Sequence, residues 1–277
     1  MGRQPRLMAD GLVYHALNRG NNRARVFFHD ADFHQFLQAL AQTKERYPFR
    51  LYAYCLMDNH FHLVLEPAAG QSISRILQSL TVAHTWHYHK ASATSGHVWQ
   101  GRFKSPVVSA DEHLLTVIRY VESNPLRAGL VSDLSGYPWS SYLVHGLGRH
   151  LPLVDEVALW SSLGQTEEAR QRYWRGWLHA PLTEKELAAV RRSVTSGRPY
   201  GPAPWVEQTA ARLGLDLRPR SRGRPRKTTE KMNCSEKCTQ DIRIVHGPLL
   251  NGKASGPDGR PHALFPPRPV RRQAPLA

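Results

Sequence analysis

Cysteine is scarce in this chain, with Cys55, Cys234 and Cys238 the three among 277 residues. Three thiols cannot build a disulfide framework, so small secreted scaffolds are set aside and a reducing, intracellular setting is expected. Cys234 and Cys238 have no second Cys/His pair of matching spacing beside them, so no zinc site is expected there. Acidic residues are also few: 22 Asp and Glu stand against 37 Lys and Arg, giving a formal net charge of +15 and a pI near 10.2. Such an excess favours a polyanionic partner, either nucleic acid or an anionic surface. Long apolar runs are missing, and none nears the roughly 18 residues that a membrane span needs. The stretch after Met1-Gly2-Arg3-Gln4-Pro5-Arg6 lacks the apolar core of a signal peptide. A cytoplasmic protein with no membrane partner is the expectation.

What is abundant is arginine late in the chain and histidine throughout. Fifteen histidines invite a search for a metal site or a general base. The texture divides the chain into four segments. Residues 1–150 alternate strand-like and helix-like patterns. Residues 151–215 look helical in pieces, with Glu167–Leu178 and Trp205–Leu213 as segments and Gly197–Gly201 as a turn, which suggests an accessory helical module for gripping DNA. Residues 216–231 form a basic arm. From Met232 to 277 no period of 2 or 3.6 survives, and a disordered tail is expected.

In the first segment, Leu12–Leu17 reads as a strand followed by an Asn/Gly/Arg-rich turn from Asn18 to Arg25. Asp30 is a plausible N-cap for a helix with Phe33, Phe36, Leu37, Leu40 and Ala41 on one face. Phe49–Leu56 and His60–Leu65 read as strands around a turn at Met57-Asp58-Asn59. Ser72–His89 reads as a helix, and Phe103–Val108 as a strand whose Pro106 implies an edge or bulge. Asp111 caps a helix that ends at Asn124, before Pro125. The order β-α-β-β-α-β-α predicts an α+β, ferredoxin-like antiparallel sheet with helices on one face.

Two short patterns could carry chemistry. In His60-Phe61-His62, a strand directs both imidazoles to one face and Phe61 to the other, which suits two nitrogens on one divalent cation. Two histidines on a solvated strand face would satisfy the same spacing. Tyr120 and Asn124 stand at i and i+4, so a helix places them one turn apart on a shared face.

Four blocks then resemble a known family. They are Asn59-His60-Phe61-His62-Leu63-Val64, Gly96 to Ser105, Arg119-Tyr120-Val121-Glu122-Ser123-Asn124-Pro125 onward to Val131, and Tyr137-Pro138-Trp139-Ser140-Ser141-Tyr142. Together they resemble single-tyrosine HUH transposases, and more narrowly the REP-associated tyrosine transposases of bacteria, over residues 11 to 145. The resemblance implies that His60 and His62 bind Mg²⁺ or Mn²⁺, that Asn124 completes the coordination, and that Tyr120 attacks a DNA phosphodiester. It implies a 5′-phosphotyrosine intermediate, single-stranded hairpin DNA of REP type as substrate, and a bacterial, nucleoid-associated location. Either a monomer or a homodimer fits it. Asp58 departs from the family pattern, which has Pro before Asn-His. A non-catalytic, domesticated REP-hairpin binder on the same fold is the alternative. A relaxase-type initiator is disfavoured, because no second tyrosine lies close to Tyr120 and no helicase module is present.

For DNA contacts, Arg102 and Lys104 beside Trp99 and Phe103, together with Arg119 and Arg127, are the expected phosphate partners near the site. The two aromatics are candidates either for base stacking or for the core. Arg222, Arg224 and Arg226 surround a Gly223-Arg224-Pro225 core like that of an AT-hook, which suits a narrow minor groove. An unspecific basic tether would have the same composition.

Overall fold

β-branched and aromatic runs punctuated by turn residues set the sheet. The computed structural model describes residues 10–217. Strands β1 (Val13–Arg19), β2 (Phe49–Met57), β3 (His60–Pro67) and a short β4 (Val107–Val108) form one sheet in the order β2-β3-β1-β4, with every pairing antiparallel. This is the expected ferredoxin-like α+β arrangement. Pro106 has no N–H to give, and β4 is shorter than the expected span of 103–108. The edge ladder still continues past it: His15 N donates to Pro106 O at 3.0 Å, and Leu17 and Lys104 exchange two backbone bonds of 2.9 Å.

Helices α1 (Asp30–Arg46) and α2 (Ile73–Ser92) cover one face. Phe36, Leu40, Ile76, Leu77 and Leu80 pack there on Ala16, Leu56, Phe61 and Leu63, all fully buried. His29, not Asp30, stands at the N-cap of α1, and the Asp32 carboxylate closes that turn by accepting from the N–H groups of Phe28 (2.8 Å) and His29 (3.0 Å). Ser72 caps α2, its hydroxyl accepting from Ser74 N.

The opposite face carries α3 (Glu112–Glu122), capped by Asp111, whose carboxylate accepts from His113 N at 2.9 Å. Leu114, Val117, Ile118 and Val121 of α3 meet Val13, Ala53, Cys55 and Val64. After α3 the chain breaks at Ser123 and makes a single turn, α4 (Asn124–Arg127). It continues through α5 (Tyr142–His145), α6 (Glu167–His179), α7 (Glu184–Ser196) and α8 (Ala203–Arg212). Thr183 and Glu186 form a capping box for α7, and Gly197 ends it in the left-handed region at φ 76°. Trp160, Trp174, Leu178 and Val190 belong to the same buried cluster as α3, and the described residues fall in one compact unit. The 197–201 segment does more than turn. Tyr200 pairs in parallel with Val108, through Tyr200 N to Val107 O and Ser109 N to Tyr200 O, each 2.8 Å, which covers the β4 edge.

Among the described residues, no helix is long and apolar enough to cross a membrane. The basic arm after residue 217, with Arg222, Arg224 and Arg226, the tail, Cys234 and Cys238 lie outside the described residues.

Candidate active site

β3 begins at His60, so strand alternation puts His60 and His62 on the face under α3, while Phe61 is buried on the α1/α2 side. The two imidazole centroids are 5.1 Å apart. Tyr120, in the last turn of α3 and half-buried, brings its ring edge-on to His62 at 6.0 Å. A third imidazole completes the cluster. His15 of β1 is 1 % exposed, stands 5.9 Å from the Tyr120 ring, and shares a 2.9 Å hydrogen bond between its Nε2 and His62 Nδ1.

Burial sets the protonation of these rings. It pushes His15 down to about 3, with the Arg127 charge adding to the effect, and His60 down to about 4, helped by Arg19. His62 falls well below the ordinary imidazole range through burial and its two histidine neighbours. All three are neutral at pH 7, the form in which an imidazole can coordinate a cation.

His62 Nδ1 is engaged by His15, and His60 Nδ1 by Asn59 Oδ1 at 2.6 Å. Each ring therefore keeps Nε2 for a ligand, with a partner fixing the opposite nitrogen. Two imidazoles in this state fit a divalent cation. No group of three or more His, Cys, Asp or Glu suited to a metal occurs among the described residues, so the remaining ligands would be an amide, water or phosphate. Asn124 is less open than its i+4 spacing suggests. Its Nδ2 donates to the carbonyls of Tyr120 and Val121, both at 3.1 Å, and its Oδ1 accepts from Arg127 Nη2 at 2.8 Å. One lone pair on Oδ1 is left for a cation.

The expected DNA-contacting residues separate. Arg127 stays at the site, its guanidinium 4.2 Å from the Tyr120 ring centroid and held by Tyr120 O and Ser123 Oγ. Arg102 is exposed, and Lys104 is half-buried on the sheet edge. Arg119 is a correction. It is 4 % exposed, donates to Ala180 O (2.7 Å) and Pro181 O (3.3 Å), and lies over Trp177, so it is a strut between α3 and the α6–α7 connection rather than a phosphate contact. Trp99 and Phe103 belong to the core alternative. Trp99 donates from Nε1 to Thr81 O and Thr85 Oγ1 and packs on Phe61, and Phe103 is buried.

His15 is the residue that sequence reasoning passed over as a site member, whereas Arg19 falls in the basic Asn18–Arg25 segment whose composition suits phosphate contact. Arg19 lies opposite His60 in the β1/β3 register and holds Gln100 Oε1 through Nε (3.1 Å) and Nη2 (2.8 Å). The signal for His15 was its parity with Val13 on β1, which becomes readable only once β1 is known to pair with β3.

The family model described as "Transposase IS200 like" matches residues 9–124. Residues 9–124 are thus similar to IS200-like transposases over somewhat less than half of the chain. A protein of Haemophilus influenzae named as a REP-associated tyrosine transposase is 25 % identical over 118 residues, which is 39 % of this chain and 67 % of that protein. Among solved structures, a REP-associated tyrosine transposase bound to a REP hairpin is similar with TM-score 0.46 at 18 % identity, covering 57 % of this chain and 94 % of that one. A Deinococcus radiodurans protein named as a transposase is similar with TM-score 0.32 at 18 % identity, over 44 % of this chain and 96 % of that one. The matched segment contains the sheet, α1 to α3, the three histidines and Tyr120, and it ends at Asn124. Helices α5 to α8 follow that segment.

Proposed function

We propose that the chain is a metal-dependent DNA strand transferase that nicks and rejoins single-stranded hairpin DNA of REP type through Tyr120. The observation that supports this most is the half-exposed Tyr120 ring set edge-on to both His62 and His15, within one cluster of neutral imidazoles. In the proposed step the Tyr120 Oη attacks phosphorus, an Oη–P bond forms, and the P–O3′ bond breaks. The products are a 5′-phosphotyrosine and a free 3′-OH, the phenol proton being released as the bond forms. One phosphodiester replaces another, so the step is reversible and no nucleotide cofactor is needed.

His60 and His62 would hold Mg²⁺ or Mn²⁺, with Asn124 Oδ1 offering its remaining lone pair; when bound, the cation polarises the scissile phosphate and offsets its developing charge. His15 keeps the His62 ring oriented. Arg127 and Arg19 place two further positive charges beside the phosphate. A hairpin binder without chemistry would make no use of the paired, oriented imidazoles.

Incubation with labelled single-stranded hairpin oligonucleotides and Mn²⁺ should give a covalent protein–DNA adduct that survives denaturing electrophoresis. Tyr120→Phe should abolish the adduct and leave hairpin binding intact, and the double change His60→Ala with His62→Ala should abolish metal-dependent cleavage. An adduct retained in Tyr120→Phe removes that residue from its role. Tight hairpin binding by the unaltered protein with no adduct favours the binder.

A further inference from the structure

The loop from β1 to α1 carries an exposed aromatic that the strand-transfer chemistry does not use. Phe28 is 45 % exposed, although its neighbours Val26 and Phe27 are 2 % and 0 % exposed. Its backbone N–H is fixed on Asp32 Oδ2 at 2.8 Å, which holds the residue's backbone in place. The Arg25 guanidinium lies 5.8 Å from the Phe28 centroid, and the Tyr88 ring of α2 lies at 6.0 Å, tilted by 42° rather than face to face. We propose that Phe28, with Arg25 and Tyr88, is a stacking site for one unpaired nucleobase of the single strand that runs to the Tyr120 site. This rests on the strand-transfer reading above and adds a base-binding position to it.

Three observations carry the assignment. The first is place. Val26 and Phe27 donate to Asp58 O at 2.7 and 3.0 Å, Gly20 donates to Asn59 O at 2.8 Å, and Asn59 Nδ2 donates to Arg23 O at 3.2 Å. The loop is thereby tied to the turn that leads directly into His60, which puts it at the same end of the sheet as the histidine pair. The second is rigidity. A Cβ at Gly20 would stand 2.1 Å from Ala24 O, and Asn22 and Arg23 both hold positive φ, so the loop is folded tightly on itself. The third is charge. Arg19, Arg23 and Arg25 are exposed along the loop, and the nearby Asp58 carboxylate is paired with Arg25 at 3.6 Å. An exposed phenyl face among arginines suits an anionic polymer that itself presents π-faces, which unpaired bases do and paired ones do not.

The test uses the full chain carrying Tyr120→Phe, without divalent cation, and single-stranded oligonucleotides with 2-aminopurine at successive positions beside a hairpin. Fluorescence should be quenched at one position next to the hairpin foot. Phe28→Ala and Phe28→Leu should each remove that quench and weaken binding about tenfold, and Phe28→Trp should retain both. Binding of a blunt, fully paired hairpin should not change. The leucine variant keeps apolar area without a π-face, so a merely packing role would leave it unaffected. Unchanged quench and affinity in Phe28→Ala overturn the stacking site while leaving the strand-transfer reading in place. Failure of the parent chain to bind single strands overturns both.

Discussion

At His62, one hydrogen bond engages one ring nitrogen and leaves the other available. His15 Nε2 occupies Nδ1 from 2.9 Å in a buried contact, which leaves Nε2 outside that bond. Partners of this kind tune metal affinity by about 10–100-fold. His15→Ala should therefore raise the Mn²⁺ concentration giving half-maximal cleavage by at least about tenfold, with hairpin binding in the absence of metal unchanged. An unaltered metal titration would show that His15 only fills space. The His60/His62 pair was legible because strand alternation is a local rule, whereas His15 needed a strand register across 47 residues. Arg119 shows the reverse failure. Its position beside Tyr120 suggested a phosphate contact, but helix periodicity cannot report that the α6–α7 connection lies over that face.

Among the elements, α3 depends on a buried carboxylate two residues beyond Tyr120. Glu122 is 0 % exposed and accepts from Ser141 Oγ (2.5 Å), His145 Nδ1 (2.6 Å) and Trp174 Nε1 (2.8 Å). It joins α3 to α5 and α6, outside the segment shared with the transposase family. Glu122→Ala strands three buried donors and should cost about 3–5 kcal/mol, read from urea unfolding. Arg119→Ala removes a strut to two carbonyls and should cost about 1–3 kcal/mol. Equal, small effects of both changes would mean that α6 and α7 contribute little to holding α3. The capping residue Asp111 was readable from sequence because caps are local. The packing of α6 and α7 on α3 was not, since an amphipathic pattern says that a face is buried but not against what.

For the molecule as a whole, pH and charge give two further expectations. Burial pushes His84 down to about 4, with its Nε2 on Val26 O at 2.9 Å. The unfolded chain takes up a proton near the ordinary imidazole value of about 6.5, while the folded chain does so only lower. Stability from this group is therefore complete above about pH 6.5 and is lost as pH falls toward 4. The limiting slope is about 1.4 kcal/mol per pH unit. The depressed His15 and His60 add with the same sign. Thermal unfolding followed from pH 7 to 4.5 should show a falling Tm, and a flat profile would contradict the buried, neutral state. Removal of residues 216–277, which hold the Arg222, Arg224 and Arg226 cluster, should weaken DNA affinity and flatten its dependence on salt while sparing adduct formation. An unchanged salt slope would exclude a phosphate-binding role for that arm.

The sequence by itself determined the alternation that builds the sheet, the cap of α3, the side-by-side imidazoles of His60 and His62, and the positive charge that calls for a polyanion. Each follows from neighbours along the chain or from composition. The tertiary structure alone decided that α3 lies across the histidine face and delivers Tyr120 to it, that His15 holds His62, that Arg127 takes up Asn124 Oδ1, and that Arg119, Trp99 and Phe103 turn inward. Those outcomes depend on which surfaces meet, and surfaces distant in sequence meet only through the packing of the whole fold.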